Sequence, residues 1–237
     1  ATGDRMEAPY LPGFDTLGTL RRILSVGEHS WFILTQKIIE KEFALSGSEQ
    51  NADLTEGGWR EVLQARLGKG ATPAVEAFKK QGADFIVADD LETLAARMNA
   101  LTPHAPVELG HICAQIKARD AQLGNPFCKD AQITAIHGAR QYKGDKLIRT
   151  AKPHAILDAK NGPLIAVRLN VITRKSLGGL HTDIEGRVLM PDGAVLDGLF
   201  AAGEASGFGG GGYHGYNALE GTFLGGCLFS GRTAGRH

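Results

Sequence analysis

Residues 199–236 read LFAAGEASGFGGGGYHGYNALEGTFLGGCLFSGRTAGR, and the fold turns on this stretch. A short apolar run, Leu199–Ala202, stops at Gly203-Glu204. A long glycine loop follows, and then Thr222–Ala234, which is nearly all small or apolar. The order predicts a short buried strand, a loop and a buried helix. Glycine lets a backbone turn sharply and approach a ligand closely. Between a strand and a helix, such a loop forms a crevice for a phosphate or a planar ring. The helix start at Gly221-Thr222-Phe223-Leu224 would offer unpaired N–H groups and the positive end of the helix dipole, which suits an anion or a partly negative carbonyl. Phe208, Tyr213, His214, Tyr216 and Asn217 interrupt the glycines, which a plain linker does not do. No GxxxxGK[ST] string is present, and the GxGxxG spacing within 207–212 is met trivially because that segment is mostly glycine.

Working outward, the rest of the chain is different in kind. Seventeen of the 32 glycines fall in residues 177–237 and fifteen in the first 176. Ile184–Leu196 places Pro191-Asp192-Gly193 between two apolar runs, which predicts a hairpin. Leu164–Thr173, LIAVRLNVIT, is rich in β-branched residues and predicts a strand. Pro106–Leu123 predicts a helix with Pro106 in its first turn and an apolar stripe of Leu109, Ile112, Cys113 and Ile116. Asp89 as cap and Glu92 three residues on open another helix, with Leu91, Leu94, Ala95 and Met98 on one face. Phe85–Val87 before it is a short strand. Thr72 and Pro73 open a helix to Lys80, and Gly57–Leu67 reads as one more. SWFILTQKIIEKEFAL at 30–45 is a strand or short helix running into an amphipathic helix. Residues 1–28 and 124–163 read as irregular, and SGSEQNADLTEGG as a polar connection. Residues 1–172 thus form one α+β domain, and 173–237 a second region.

Composition narrows the function classes. Lys+Arg and Asp+Glu are both 26, so no net field draws nucleic acid or an anionic membrane. No apolar run approaches the ~20 residues of a membrane helix, and Ala1–Glu7 does not have the pattern of a signal peptide. Three cysteines, Cys113, Cys128 and Cys227, make neither a disulfide framework nor a zinc site. They fit a reducing compartment, and a cytoplasmic location is expected.

At the glycine loop the chain resembles a known family. Gly178-Gly179-Leu180, RVLMPDG, DGLFAAGE at 197–204, the GGG…HGYN…EG loop and the closing GRTAGR are similar to the C-terminal segment of the flavoproteins that include fumarate reductase and succinate dehydrogenase flavoprotein subunits and 3-ketosteroid Δ1-dehydrogenases. ADDLETLAARM resembles a helix of that family's capping domain, and PGFDTLGTLRRIL with the run after it is similar to bacterial FAD-binding dehydrogenases. The resemblance implies an α+β capping (substrate) domain over 1–172, followed over 173–237 by the C-terminal return segment of a Rossmann-like FAD-binding domain. No strand–GxGxxG–helix unit for the ADP half of FAD is visible, so a fragment is expected, with that N-terminal half as its partner.

The resemblance also implies a site. Gly203 and Glu204 match the family's AAGE, where the glutamate lies beside the ribityl and pyrophosphate part of FAD. Gly221, Thr222, Phe223 and Leu224 match the helix start that meets the flavin N1 and C2 carbonyl. Lys175 is assigned to the flavin pyrimidine edge. Tyr216, Asn217, His214 and Arg174 are the catalytic, substrate-side candidates, against a small molecule carrying a carbonyl. Alternatives remain open: Glu204 capping its own loop, His214 bonded to backbone, Tyr213 and Tyr216 packing the loop, Arg174 paired with a surface acid. Departures matter as well. Ala218 stands where fumarate reductases carry the Arg of HGxNRLGG, and TRKSLGG replaces their His pair. EAPYLPGFDT offers no counterpart of their proton-donating Arg. The expectation is a flavin-dependent dehydrogenase acting on a C–C bond next to a carbonyl, inactive as a fragment. The alternative is a folded, non-catalytic fragment without bound FAD.

Overall fold

The computed structural model describes residues 3–8, 10, 16–43, 70–143, 151–172, 179–206 and 223–237. The chain divides into two units, Ala1–Val171 and Ile172–His237.

The first unit is built on β3 (Leu164–Asn170), the middle strand of a three-stranded sheet in the order β1-β3-β2. β1 (His29–Thr35) and β2 (Phe85–Ala88) both lie antiparallel to it, in registers running from His29↔Asn170 to Thr35↔Leu164 and from Phe85↔Val167 to Ala88↔Leu164. Side chains alternate across a strand. Leu164 and Ala166 therefore enter one core, with Ile86, Leu94, Met98, Ile112 and Ile116. Ile165 and Val167 enter the other, with Ile39 and Val75. Helices α4 (Leu91–Leu101) and α5 (Leu109–Ala121) supply the first face. Helices α2 (Gln36–Glu42) and α3 (Pro73–Gln81) supply the second. Both faces are covered, which is why LIAV reads as a continuous apolar run.

Several details differ from expectation. α4 is capped by Asp90, not Asp89; its carboxylate accepts from the Thr93 N–H at 2.7 Å. α5 begins at Leu109 rather than in a first turn around Pro106, because Glu108 accepts from the Gly110 and His111 N–H groups. On its stripe Ile112 and Ile116 are buried, while Leu109 is exposed. Thr72 does precede α3, but its hydroxyl makes no cap bond and is buried without a partner among the described residues. Glu76 closes that end instead, accepting from the Ala71 N–H at 2.9 Å.

Two stretches that read as irregular contain helices. α1 (Thr16–Val26) forms although Gly18 weakens it and its Leu20 and Leu24 stay exposed. α6 (Ala131–Ala139) forms within 124–163, with Ile133 fully buried. Its cap, Asp130, accepts from the Ile133 N–H and is gripped by both terminal nitrogens of Arg5. Those Arg5 hydrogen bonds, with the helix-cap bond, hold the Asp130 carboxyl below its ordinary range against the opposing pull of burial. The expected helix over 57–67 lies outside the described residues.

Candidate cofactor site

The second unit holds a hairpin, β4 (Arg187–Leu189) and β5 (Val195–Phe200), joined through Pro191-Asp192-Gly193 as the turn chemistry predicts. Gly193 has φ +86, and the Ala194 N–H bonds the Asp192 carboxylate at 3.0 Å. β5 leads into a 3₁₀ turn, Gly203–Ser206, and the unit ends in α7 (Phe223–Ala234).

The turn is fastened on three sides. The Gly203 N–H donates to Ser230 Oγ of α7 at 2.9 Å. Ser206 Oγ donates to the Gly203 carbonyl at 2.9 Å. The Leu180 N–H donates to the Ala205 carbonyl, also at 2.9 Å. Gly203 adopts φ +61, and a Cβ there would lie 3.3 Å from Cys227 Sγ, so both the backbone conformation and the close approach to α7 favour glycine. The position expected to meet the cofactor, Glu204, is exposed. Its carboxylate has no hydrogen bond or ion pair among the described residues. The loop that Glu204 would cap in the alternative reading, residues 207–222, lies outside the described residues.

The apolar end of the unit is not buried as expected. Leu224, Leu228 and Phe229 of α7 are 69%, 64% and 67% exposed. β5 is likewise mostly exposed, including Leu199 and Phe200. The physical reason is that only the sides of α7 carrying Cys227, Ser230 and Ala234 meet the turn and Gly186, so apolar residues elsewhere on it lack a cover among the described residues.

Of the residues singled out from the sequence, Gly203 and Glu204 lie together on the turn, and Leu224 lies in the first turn of α7, which begins at Phe223. Tyr216, Asn217, His214, Arg174, Lys175, Gly221 and Thr222 lie outside the described residues. Ser206, Cys227 and Ser230, which shape the turn, were missed. Cys227 and Ser230 are one helical step apart, a spacing that puts them on one face, but nothing local says that Gly203 lies against it.

The family described as "FAD binding domain" matches residues 3–224. The chain belongs to this FAD-binding family. A KsdD-like steroid dehydrogenase of Mycobacterium tuberculosis (strain CDC 1551 / Oshkosh) is 54% identical over 237 residues, all of this chain and 42% of that protein. A 3-oxosteroid 1-dehydrogenase of Rhodococcus opacus is 46% identical over 52 residues, 22% of this chain and 10% of that protein. Among solved structures, the open conformation of a flavocytochrome c3 fumarate reductase covers 87% of this chain and 26% of that one, at 18% identity and a TM-score of 0.43. The chain thus spans about two fifths of the M. tuberculosis relative it matches.

FAD is the cofactor of the family, and the described residues fit it. Glu204 is an exposed carboxylate acceptor on a hydrogen-bonded turn, next to a close contact of Gly203 with a helix. Among the described residues no cluster of His, Cys, Asp and Glu could hold a metal ion. No described helix is long and apolar enough to cross a membrane.

Proposed function

We propose that this chain is the capping domain (1–172) and C-terminal return segment (173–237) of a longer FAD-dependent dehydrogenase, cytoplasmic, acting on a C–C bond next to the carbonyl of a steroid-like small molecule. The observation that carries this reading is the 54% identity to a KsdD-like steroid dehydrogenase along the whole chain. The exposed Glu204 carboxylate supports it from the side of the cofactor. The N-terminal half, with the ADP-binding unit, completes the flavin domain, and the 237 residues alone are inactive.

The reaction takes two hydrogens from neighbouring carbons, one as a hydride and one as a proton. FAD supplies the hydride acceptor. Glu204 would accept from a ribityl hydroxyl. The backbone at Gly221, Thr222, Phe223 and Leu224 would offer N–H groups to the pyrimidine edge, where a helix N-terminus favours negative charge by ~0.3–2 kcal/mol, and Lys175 would add its charge there. Tyr216 or Asn217 donates to the substrate carbonyl, which acidifies the adjacent C–H. His214 and Arg174 complete the substrate side, where a base takes the proton from the neighbouring carbon.

Ala218 cannot grip a carboxylate, and loss of an arginine clamp removes charge-assisted bonds worth ~1.5–3 kcal/mol. The test is anaerobic mixing of the full-length enzyme with a 3-oxosteroid, with succinate and, after reduction, with fumarate. Bleaching of the flavin absorbance by the steroid is expected, with no turnover of either dicarboxylate. Ordinary rates on fumarate or succinate would overturn the reading.

A further inference from the structure

Among the described residues the side-chain hydrogen bond that joins the Gly203–Ser206 turn to α7 is made by Ser230, whose hydroxyl is itself oriented by the helix. Its hydrogen is directed along the helix, to the Gly226 carbonyl at 2.7 Å, with the Cys227 carbonyl at 3.4 Å. Only lone pairs are left facing outward, and the Gly203 N–H takes one of them at 2.9 Å. The Gly203 N–H belongs to the Ala202–Gly203 peptide, so this bond anchors the plane that enters the turn, and the next plane, Gly203–Glu204, is held in turn by Ser206 Oγ on the Gly203 carbonyl. Cys227 stands close on the α-carbon side of Gly203, where an added Cβ would lie 3.3 Å from its Sγ. We infer that Ser230 is a positioning residue for FAD, acting through the Gly203 peptide to hold Glu204 where the cofactor meets it. The inference rests on the reading that Glu204 faces FAD. No contact between Ser230 and the cofactor is required.

The consequence is a coupling. Without Ser230 the Gly203 N–H loses its acceptor, the turn loosens, and Glu204 must be ordered at the moment of binding, which weakens affinity. A serine that only stabilised the fold would weaken FAD binding to the same extent whether or not Glu204 is present.

The experiment measures FAD dissociation constants and apo-protein melting temperatures of the full-length protein for Ser230→Ala, Ser230→Thr, Glu204→Ala and the Ser230→Ala/Glu204→Ala double variant. Ser230→Ala is expected to raise Kd about three- to tenfold, the worth of one hydrogen bond. Ser230→Thr, which keeps the hydroxyl, stays within about twofold. In the Glu204→Ala background the Ser230→Ala effect disappears. An equal effect in both backgrounds overturns the inference. So does an unchanged Kd in Ser230→Ala when Glu204→Ala weakens binding. If Glu204→Ala itself leaves Kd unchanged, the reading of Glu204 has failed, and the Ser230 assignment falls with it. Should Ser230→Ala not fold, Ser230→Cys keeps the volume, weakens the acceptor and carries the same test.

Discussion

Gly186 and Gly193 both hold positive φ, +82 and +86, yet they differ in what surrounds them. A Cβ on Gly186 would come within 2.9 Å of Ala234 Cβ and 3.5 Å of the Ala201 carbonyl, whereas one on Gly193 meets nothing within 4 Å. Gly193→Ala should cost the conformational penalty alone, ~1 kcal/mol. Gly186→Ala should cost more, ~1–3 kcal/mol, because α7 must also move. Thermal melts of the two variants measure the difference, and equal shifts would count against the packing of α7 on Gly186. At this scale the sequence was readable where chemistry is local. Pro191-Asp192-Gly193 announces its own turn. Gly186 and Ser230 do not, because the atoms that give them meaning belong to residues far away in the chain. Asp89 and Asp90 are equally good caps on paper, and the backbone chose the second.

His154 ties elements together. Its Nδ1–H donates to the Lys152 carbonyl at 2.7 Å, which leaves Nε2 to accept from the buried Thr35 hydroxyl at 2.8 Å. Thr35 is also the cap of α2, and the Arg119 guanidinium donates to the His154 carbonyl at 2.8 Å. The bond to Thr35 in this arrangement requires a neutral imidazole. Burial lowers the His154 pKa from its ordinary 6.5, Lys37 and Arg119 push the same way, and the Lys152 bond and Asp120 oppose them. His29 is lowered too, chiefly by burial. The unfolded chain therefore binds protons that the folded one refuses, so this stability is present above about pH 6.5 and is lost as pH falls through the lowered values. Urea melts at pH 7.5 and 5.5 should show the loss, and His154→Asn should flatten it, leaving the share of His29. A slope unchanged by that substitution would reject the assignment. The strands were legible at this scale because β-branched runs report burial directly. α6 was not, since AQITAIHGA is short, and its start depends on an Arg5–Asp130 pair that spans most of the first unit.

For the whole molecule, the exposed apolar residues of α7 and β5 are the feature with the widest reach. Leu224, Leu228, Phe229, Leu199 and Phe200 are more than a third exposed on a unit that also carries Glu204. The 237-residue chain should bind a hydrophobic dye such as ANS and should purify colourless, because the ADP-side contacts of FAD are expected in the N-terminal half. Stoichiometric FAD surviving gel filtration would overturn this. The family was legible from motif order alone. The exposure of α7 was not, since an all-apolar helix states a need for burial and not whether the cover lies in the same stretch of chain.

The position of β3 also governs how the first unit can be made. β1 and β2 do not pair with each other; each waits for the strand between them. That strand is the last of the three in the chain, so during translation both outer strands and the helices α2 to α6 leave the ribosome before any sheet can close. Until Asn170 has emerged, two strand edges and the apolar faces that will pack on LIAV remain open to other chains. Closure of this sheet thus waits until β3 has emerged, and a nascent chain halted before Leu164 is the form most in need of a chaperone.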